Sequence, residues 1–481
     1  MEWRVVVKFV AVSALFFGME RVEAAESSTL SNISDTSTVQ MVVVVHRHGD
    51  RYSLKVDRSS SSRAEIERKG QLTELGVLQL FHQGQFLRNR YPRIDDGEIM
   101  PSKRIMAMSS EVDRTMNSAQ ALLAGLLPPQ GTNRTWNNTL GGLWAPFPVH
   151  NVLFDSDSII RVQADACPEY DKIRKGINEL PIARELRARE QLFIEFVRPH
   201  VLKYSERAGE KRDISEKFFE ACEVIHDAIY YIRRQSPEKG GRPWPAAMDE
   251  WMNSTLAAKF EFIADIRMHI MAGGNGDFTT TKFRTGNLLR DAFHRMNKSL
   301  TENGQDKSRT TMAIYSGHDE NVAAMRAAFG DFNFDINSPT VYGVPHFGAL
   351  VIMELHYNDT IRVLWKNAST PPEEPYELKA IIHPKCPMAF CPRNRLRAVL
   401  HDVIVSSDEE WANMCGLGVP SITTGPLEPA VVAAIVLAIM FIPACVLAYI
   451  VGKRGGCRKA SGENLPLLQD RRSNAKRRGA P

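Results

Sequence analysis

The chain has 481 residues, of which 43% are hydrophobic and 24% charged, and its formal net charge is +4. This is the composition of an ordinary globular protein, and it excludes a fibrous or wholly disordered chain. Positive charge is concentrated at the C-terminus, where residues 453–481 contain nine Lys or Arg and two acidic residues. The rest of the chain therefore carries −3, which excludes an extended basic surface for nucleic acid.

The N-terminus is typical of a secretory signal peptide. Arg4 and Lys8 precede a short apolar run, and Val22 and Ala24 provide small residues at positions −3 and −1 of a cleavage site. A signal anchor is the alternative, but the apolar run is too short to span a bilayer comfortably. We predict that residues 1–24 are a signal peptide.

Residues 41–53 read MVVVVHRHGDRYS and join an apolar strand to a cluster of cations and imidazole. An unbroken β-branched run predicts a strand buried on both faces, and ligands bind at the carboxyl ends of such strands. Arg47 and Arg51 flank His48, and guanidinium groups match phosphate oxygens in charge and geometry. Gly49 allows a tight turn and close approach to a ligand. The pattern predicts a phosphate site; the alternative is a solvated surface loop.

The next part of the chain repeats the arrangement of a strand followed by a helix. A polar, Ser-rich segment at residues 57–68 is predicted to be a loop over the cluster, and helical spacing of apolar residues follows at residues 73–91. A short apolar run at residues 105–108 predicts a second strand. Arg114 follows this strand, before a helix predicted at residues 119–127, so a second strand end presents an arginine.

A third strand end carries histidine and aspartate. Residues 165–265 are charged and lack strand-like runs, which predicts an inserted helical cap, and the glycines at 273–276 predict a loop returning to the sheet. A strand at 311–315 then leads to His318 and Asp319. The remaining predicted elements are a helix at 320–329, a hairpin formed by 349–355 and 361–365, and a largely irregular segment at 371–429.

Residues 430–452 contain no charged side chain and are long enough to cross a membrane as a helix. Lys453 and Arg454 follow directly, so the positive-inside rule places residues 453–481 in the cytosol. We therefore predict a type I single-pass membrane protein whose stalk is formed by residues 416–429. A buried core helix is the alternative, but it would not be followed by a basic tail.

Cysteines and glycosylation motifs support export of the segment between the two apolar runs. This segment contains five cysteines, from which two disulfides and one free thiol are expected, although their spacing leaves the pairing open. Seven Asn-x-Ser/Thr motifs lie in the same segment and none in the tail. The cysteines are Cys167, Cys222, Cys386, Cys391 and Cys415, and the motifs begin at Asn32, Asn133, Asn137, Asn253, Asn297, Asn358 and Asn367.

The three strand ends together predict the chemistry of phosphoryl transfer. Neighbouring arginines oppose protonation of His48, and a neutral imidazole nitrogen can attack phosphorus. Arginines stabilise charge on the phosphoryl oxygens, while the carboxyl group of Asp319 can protonate the leaving group at acidic pH. No sequence motif for a metal or a nucleotide is present, so we predict neither a metal nor a cofactor.

These motifs resemble those of the histidine acid phosphatases, branch 2 of the histidine phosphatase superfamily. RHGDR after one strand, DR about sixty residues later and HD after a late strand carry the resemblance, which covers residues 39–415. The membrane-anchored layout is similar to that of acid phosphatases of the lysosomal and prostatic type. The resemblance implies hydrolysis of small phosphomonoesters at acidic pH, with His48 as the phosphorylated nucleophile and Asp319 as the proton donor. The implied phosphate ligands are Arg47, Arg51, Arg114 and His318.

The implied fold is α/β, with a mainly parallel central sheet flanked by helices, as in the phosphoglycerate mutases, and a helical cap at about 165–265. The resemblance also implies Cys167–Cys415 and Cys386–Cys391 as the disulfides, and it leaves Cys222 as a free thiol. It is compatible with a homodimer. Ser53 departs from the family, which often has proline at this position, and this departure predicts a looser loop.

Several alternatives stay open at this point. The enzyme could be selective for lipid, inositol or sugar phosphates, or it could be a mutase. The chain could instead be a membrane-tethered binding or adhesion protein on an inactive phosphatase fold, although the complete set of motif residues argues against it. In the tail, Glu463, Leu467 and Leu468 fit an acidic dileucine signal for a sorting adaptor. This signal predicts a lysosomal or endosomal location, with the cell surface as the alternative.

Overall fold

The computed structural model describes most of the segment between the two apolar runs. The described residues are 33–58, 61, 63–93, 104–128, 146–163, 165–235, 244–274, 278–301, 311–332, 343–368 and 377–418. The predicted signal peptide, membrane span and cytosolic tail, with its dileucine motif, lie outside these residues, as does almost all of the predicted stalk. Within the described residues, none of the helices has the length and apolar character needed to span a bilayer.

The centre of the fold is an eight-stranded sheet with the order β3-β2-β4-β1-β5-β6-β7, and β8 also pairs with β6. The pairings of β3 with β2, β2 with β4 and β4 with β1 are parallel, whereas the pairings of β1 with β5, β5 with β6, and β6 with β7 and β8 are antiparallel. The strands are β1 (Val39–Arg47), β2 (Ile105–Ser110), β3 (His150–Val152), β4 (Met312–Gly317), β5 (Leu350–His356), β6 (Thr360–Lys366), β7 (Lys379–Ile381) and β8 (Cys391–Pro392).

The prediction of a mainly parallel sheet is therefore wrong, because the sheet is mixed. The predicted hairpin exists as β5 and β6, and β5 pairs antiparallel with β1 at the centre of the sheet. A hairpin can only add antiparallel strands, whereas the parallel half needs helical crossovers between its strands. The half of the sheet that carries the phosphate motifs is parallel, as expected.

Strand β1 lies between two apolar cores, as its sequence predicts. Met41, Val43 and Val45 pack on one face of the sheet, while Val42 and Val44 pack on the other. Successive side chains of a strand alternate between the faces, so a continuous run of valines suits a strand that is covered on both sides. The polar residues that follow the run are thereby placed at the carboxyl edge of the sheet.

Helices cover the faces of the sheet and follow each of the strands that end at the site. Thr73 caps the N-terminus of α2 by accepting a hydrogen bond from Gly76 N at 3.1 Å. The helix expected from residue 119 begins earlier, at Asp113, and the expected loop at 57–68 contains a short helix. These helices are α1 (Arg63–Glu67), α2 (Glu74–Arg90) and α3 (Asp113–Leu126).

The predicted cap region is helical and has its own core, which includes Phe219, Ile225, Phe260 and Ile263. The last helix of the cap, Ser254–Ala272, ends at Gly273, which adopts a left-handed conformation with φ of 82°. The glycine-rich segment leads to another helix, not directly to the sheet as expected. The helices are α4 (Pro168–Lys175), α5 (Pro181–Arg189), α6 (Gln191–Arg207), α7 (Phe218–Gln235), α8 (Ser254–Ala272) and then α9 (Phe278–Thr301), whose inner face packs on the sheet.

The last part of the described chain is more ordered than its composition suggests. After α10 (Asp319–Ala328) and the hairpin come α11 (Arg393–Val399) and α12 (Asp408–Cys415), where a largely irregular segment was predicted. Both helices are short and rich in charge, which weakens their apolar periodicity. Ser407 caps α12 by accepting a hydrogen bond from Glu410 N at 3.0 Å, and the disulfide at its last residue fixes the helix to α4.

The structure contains the disulfides Cys167–Cys415 and Cys386–Cys391, and Cys222 is a buried free thiol. These are the pairs and the free cysteine that the family resemblance implies. Disulfides persist in exported proteins and are rare in the cytosol, so they indicate an extracellular or lumenal compartment. Of the predicted glycosylation sites, Asn253 and Asn358 are exposed, whereas Asn367 is only 7% exposed and is a poor acceptor.

Candidate active site

The three predicted strand ends meet at one edge of the sheet. His48 follows β1, His318 follows β4, and Arg114 lies in the first turn of α3, just after β2. The rings of His48 and His318 are 5.6 Å apart, centroid to centroid. The parallel register of β2, β4 and β1 brings these residues together, because their carboxyl ends lie at the same edge.

His48 is held with one ring nitrogen free. Its Nδ1 lies 2.8 Å from the carbonyl oxygen of Gly49. A carbonyl oxygen only accepts hydrogen bonds, so Nδ1 carries the proton and Nε2 of the neutral ring keeps its lone pair. No hydrogen bond among the described residues occupies Nε2. The geometry therefore gives His48 the tautomer that a nucleophile needs.

The environment also keeps His48 neutral. Its side chain is buried, with 2% of the residue exposed. Burial lowers the pKa of His48 well below its usual value, and the charges of Arg114 and Arg47 lower it further. The sequence predicts this effect from like charge alone, whereas burial is the larger cause in the structure. A neutral imidazole at acidic pH follows from both.

Arg47 is fixed by three groups around its guanidinium. It donates one hydrogen bond to Pro345 O at 2.5 Å, pairs with Asp319 at 2.8 Å, and lies 3.9 Å from the centroid of the Phe347 ring. Phe347 also lies beside the ring of His48, at 5.4 Å. The Nε–H of Arg47 is buried and has no partner among the described residues.

Arg51 is held from the cap. Its guanidinium pairs with Asp227 of α7 at 2.8 Å and donates to Tyr52 O at 3.2 Å. Its Nε–H is again buried without a partner in the described part of the chain. Asp227 is therefore a second carboxylate at the site, in addition to Asp319, and no sequence motif predicted it.

Unlike Arg47 and Arg51, Arg114 forms no ion pair with a carboxylate within the described residues. Its Nε–H is the third such buried donor without a partner. Burial and the neighbouring charges of Arg51 and Arg161 lower the pKa of Arg114 to about 9, so it stays charged at neutral and acidic pH. A buried cation without a counter-charge is costly, and an anion bound beside it would remove that cost.

His318 and Asp319 lie at the start of α10. The backbone N–H of His318 donates to Asn321 Oδ1 at 2.9 Å, and its Nε2 is 3.0 Å from Ser110 Oγ. Asp319 accepts from Glu320 N at 3.0 Å in addition to its ion pair with Arg47. The side chain of Asp319 is 24% exposed, so one side of this carboxylate remains accessible.

The pKa of Asp319 reflects two opposing effects. Burial raises it, but Arg47 and Arg51 lower it more, and the result lies below the usual value for aspartate. Without a ligand, the carboxyl group is therefore ionised over most of the acidic range. A phosphate anion bound among the arginines would offset their charge and raise the pKa of Asp319 again.

Gly49 serves a different purpose from the one predicted. A Cβ added to Gly49 would lie 2.2 Å from the carbonyl oxygen of Gly76 in the first turn of α2. A glycine is needed at this position because the backbones of the loop and the helix touch there. This close contact fixes the loop that carries His48 against α2.

Three residues of the site were missed by the sequence analysis: Asp227, Arg234 and Phe347. Arg234 pairs with Asp50, and its guanidinium lies 4.5 Å from the centroid of the Phe347 ring. Asp227 and Arg234 occur in a charged helix where polar residues normally face water, and Phe347 follows a segment without periodicity. No local signal marks them, because their roles depend on contacts between distant segments.

The site opens into a cleft between the sheet edge and the cap, whose empty volume is about 490 Å³ when the solvent at its mouth is included. Arg47, Arg51 and Asp319 line one side, and Glu223 and Arg267 line the cap side. Most of the lining side chains are ionisable. Among the described residues, no group of three or more His, Cys, Asp or Glu side chains is arranged to hold a metal ion.

Comparison with known proteins identifies the family. The family model of the histidine phosphatase superfamily (branch 2) matches residues 59–366, which is more than half of the chain. The chain belongs to this family. The match includes Arg114, His318 and Asp319, while His48 lies just before it.

The relatives of this histidine phosphatase are acid phosphatases. It is 24% identical to prostatic acid phosphatase of Bos taurus over 388 residues, covering 79% of this chain and 88% of the relative. It is also 24% identical to lysosomal acid phosphatase of Homo sapiens over 407 residues, covering 83% and 84%. The prediction of a histidine phosphatase enzyme is confirmed.

Solved structures confirm the fold of this histidine phosphatase. A phytase from Citrobacter braakii superposes with a TM-score of 0.52 and 14% identity, covering 78% of this chain and 99% of the phytase. The Hafnia alvei phytase in complex with myo-inositol hexakis sulphate gives the same TM-score and identity, covering 77% and 98%. At this identity the likeness shows the fold alone.

Proposed function

We propose that this chain hydrolyses small phosphate monoesters at acidic pH through a phosphohistidine intermediate on His48. One observation carries the proposal: near the neutral imidazole of His48, the buried Nε–H groups of Arg47, Arg51 and Arg114 have no hydrogen-bond partner among the described residues, and neither does His48 Nε2. Buried polar groups nearly always have a hydrogen-bond partner, so several positively charged N–H donors without one are expected to bind an anion. Arginine and phosphate are complementary in charge and shape.

In the proposed first step, Nε2 of His48 attacks phosphorus and the ester bond to the leaving oxygen breaks. The three arginines and His318 stabilise charge on the phosphoryl oxygens. Asp319 gives its proton to the leaving alkoxide, so the carboxyl group must be protonated when substrate is bound. Arg47 and Arg51 oppose this protonation in the free protein, whereas bound phosphate and an acidic medium both favour it. Water then hydrolyses the phosphohistidine.

The cleft favours polar substrates over lipid phosphates. Glu223 and Arg267 face one another on the cap side at 3.4 Å, and Arg267 keeps a buried Nε–H without a partner among the described residues. A carboxylate and a guanidinium can accept and donate hydrogen bonds to a hydroxylated leaving group, whereas an acyl chain would leave them unsatisfied. We therefore propose sugar or polyol phosphates as better substrates than lysophosphatidate.

The test uses the glycosylated ectodomain with a phosphate-labelled monoester near pH 5. Rapid quenching should trap labelled protein in the wild type, and His48→Ala should abolish both turnover and the trapped label. His200→Ala is a matched control, because His200 lies in the cap and stacks on Trp251 away from the cleft. Turnover by His48→Ala, or labelling of it, would refute the mechanism. A folded wild type that binds phosphate without turnover would favour the binding-protein alternative.

We also propose the type I topology for the full chain, with the ectodomain lumenal or extracellular. The signal peptide predicted at 1–24, the uncharged apolar run at 430–452 and the basic residues after it support this topology, and the disulfides fit an oxidising compartment. We propose that Leu467 and Leu468 bind a sorting adaptor for lysosomal delivery, and that the ectodomain forms a homodimer. Protease protection in sealed vesicles, the location of a Leu467→Ala/Leu468→Ala variant and light scattering test these three points.

A further inference from the structure

The cap helix α7 binds the loop of residues 47–53, here called the motif loop, through two ion pairs. Asp227 pairs with Arg51 at 2.8 Å, and Arg234 pairs with Asp50. All four side chains are largely buried: the exposed fraction is 12% for Asp227, 11% for Arg51, 11% for Arg234 and 0% for Asp50. Residues seven apart lie on the same face of a helix, so one face of α7 supplies both contacts.

Asp227 makes more contacts with this segment than an ion pair requires. Besides Arg51, it accepts hydrogen bonds from Ser53 Oγ at 2.6 Å and from Leu54 N at 2.8 Å. Burial would raise the pKa of Asp227, but Arg51 and Ser53 outweigh burial and lower it well below its usual value. Asp227 therefore remains ionised at the acidic pH where the enzyme is expected to work.

Ser53 occupies the position where the family often has proline. The sequence predicted a looser loop for this reason, yet Ser53 is only 3% exposed and is bonded to Asp227. A proline fixes one backbone dihedral and cannot donate a side-chain hydrogen bond. In this chain, a hydrogen bond to the cap takes the place of that covalent restraint.

The contacts of Arg51 determine which donor is left for a ligand. Asp227 and Tyr52 O occupy its two terminal nitrogens, and the buried Nε–H has no partner within the described residues. Without Asp227, the guanidinium would be free to rotate or to pair with another carboxylate. A misplaced guanidinium group binds phosphate less tightly, because the interaction depends on the geometry of its N–H donors as well as on charge.

We propose that Asp227 is a positioning residue that orients Arg51 for phosphate and, through Ser53, couples the cap to the motif loop. The inference rests on the proposed function in one respect, namely that Arg51 binds the phosphate group. Asp227 itself lines the cleft but is not assigned a contact with the reacting atoms. Its effect should therefore disappear when Arg51 is absent.

The test measures binding of inorganic phosphate by calorimetry at pH 5, together with kcat and KM. Misplacement of a binding group typically costs up to about 100-fold, so Asp227→Asn should weaken phosphate binding by roughly 10- to 100-fold. In an Arg51→Ala background, adding Asp227→Asn should cause no further loss, because the two residues act as one unit. Ser53→Ala keeps both charges and should weaken binding by a smaller factor, about two- to fivefold.

Asp213→Asn is the matched control. Asp213 is also in the cap region and has the same kinds of partner: it pairs with Arg198 at 2.7 Å and accepts bonds from Ser215 N and Ser215 Oγ. Its loss should leave phosphate affinity unchanged. If Asp227→Asn lowers thermal stability while keeping wild-type phosphate affinity, Asp227 is merely structural and the proposal fails. Losses that add in the double variant refute it equally.

Ser53→Ala decides the matter if Asp227→Asn does not fold, since the weaker perturbation leaves the buried ion pair in place. Unchanged phosphate affinity in a folded Ser53→Ala variant would overturn the coupling of the cap to the motif loop. Because calorimetry detects binding without turnover, the proposal can fail or hold independently of the phosphohistidine mechanism.

Discussion

Replacing Arg114 by methionine should stabilise the ligand-free ectodomain and at the same time remove most of its affinity for phosphate. Arg114 is a largely buried guanidinium with an unsatisfied Nε–H and no carboxylate partner within the described residues. A methionine side chain has a similar length and carries no charge to desolvate. Stability and binding should therefore change in opposite directions.

The size of the effect follows from the pKa of Arg114, which falls from 12.5 to about 9. Each pKa unit corresponds to about 1.4 kcal/mol, so the charged form is disfavoured in the folded state by at most about 5 kcal/mol. Water near the site screens part of this cost, and a gain of about 2 kcal/mol in unfolding free energy is a reasonable expectation. The folded-state pKa of this base is lowered, so the penalty is fully present at pH 5 and would disappear only above the pKa of the unfolded chain.

The assay is urea unfolding at pH 5 with and without inorganic phosphate. A ligand at 100 times its Kd stabilises a protein by about 2.7 kcal/mol, and Arg114→Met should lose most of this increment. Arg362→Met is the contrasting control, because Arg362 is more deeply buried than Arg114 but is bonded to Glu354 at 2.5 Å. Breaking that buried pair should cost about 3–5 kcal/mol. The reasoning is refuted if Arg114→Met unfolds more easily than wild type without ligand, or if phosphate stabilises it normally.

Three further predictions concern the donor, a buried acid and the cysteines. Asp319→Asn should lower kcat for an alkyl phosphate by about 10²- to 10⁴-fold. The loss should be much smaller for p-nitrophenyl phosphate, because its leaving group needs no proton. Equal losses for the two substrates would exclude Asp319 as the proton donor. Burial raises the pKa of Asp265 to about 7, and its Oδ1 accepts from Val344 N at 2.9 Å. Protonated Asp265 favours the folded state at low pH, and this contribution to the unfolding free energy is lost as the pH rises from about 4 to 7. Asp265→Asn should therefore stabilise the protein at pH 8 but not at pH 4. Urea unfolding at both pH values measures the difference. Burial also raises the pKa of Cys222 well above its usual value, so iodoacetamide should label Cys222 only after unfolding; rapid labelling of the native protein would contradict the buried position.

The proposed mechanism places two opposite pKa requirements on the site, and the arginines help to meet the one for His48 but oppose the one for Asp319 in the free protein. His48 must stay neutral, and burial with Arg114 and Arg47 lowers its pKa. Asp319 must be protonated when substrate is bound, although Arg47 and Arg51 lower its pKa in the free protein. In the proposed mechanism, a bound phosphate anion offsets the charge of the arginines, so Asp319 is protonated more readily when a substrate is present.

Much of the site was visible in the sequence because its residues lie next to strands with strong local patterns. The valine run of β1 predicts a doubly covered strand, and the strand fixes His48, Arg47 and Arg51 at a sheet end. The same argument placed Arg114 and His318. Local periodicity and steric preference decide these features, and both act over a few residues.

Other features depended on contacts between segments far apart in the chain. The pairing of β5 with β1 made the sheet mixed, and the close contact between the backbones of Gly49 and Gly76 gave a reason for Gly49 that the sequence did not show. Asp227 and Phe347 joined the site only when the cap and the loop before β5 folded against it.

The residues proposed as nucleophile, phosphate ligands and proton donor could be named from local patterns, because strand propensity fixes where those side chains appear. The tertiary structure alone decided how they are oriented and charged. Orientation and pKa arise from burial and from partners such as Asp227 and Pro345 O, and no local pattern encodes which distant groups will surround a side chain in the folded protein.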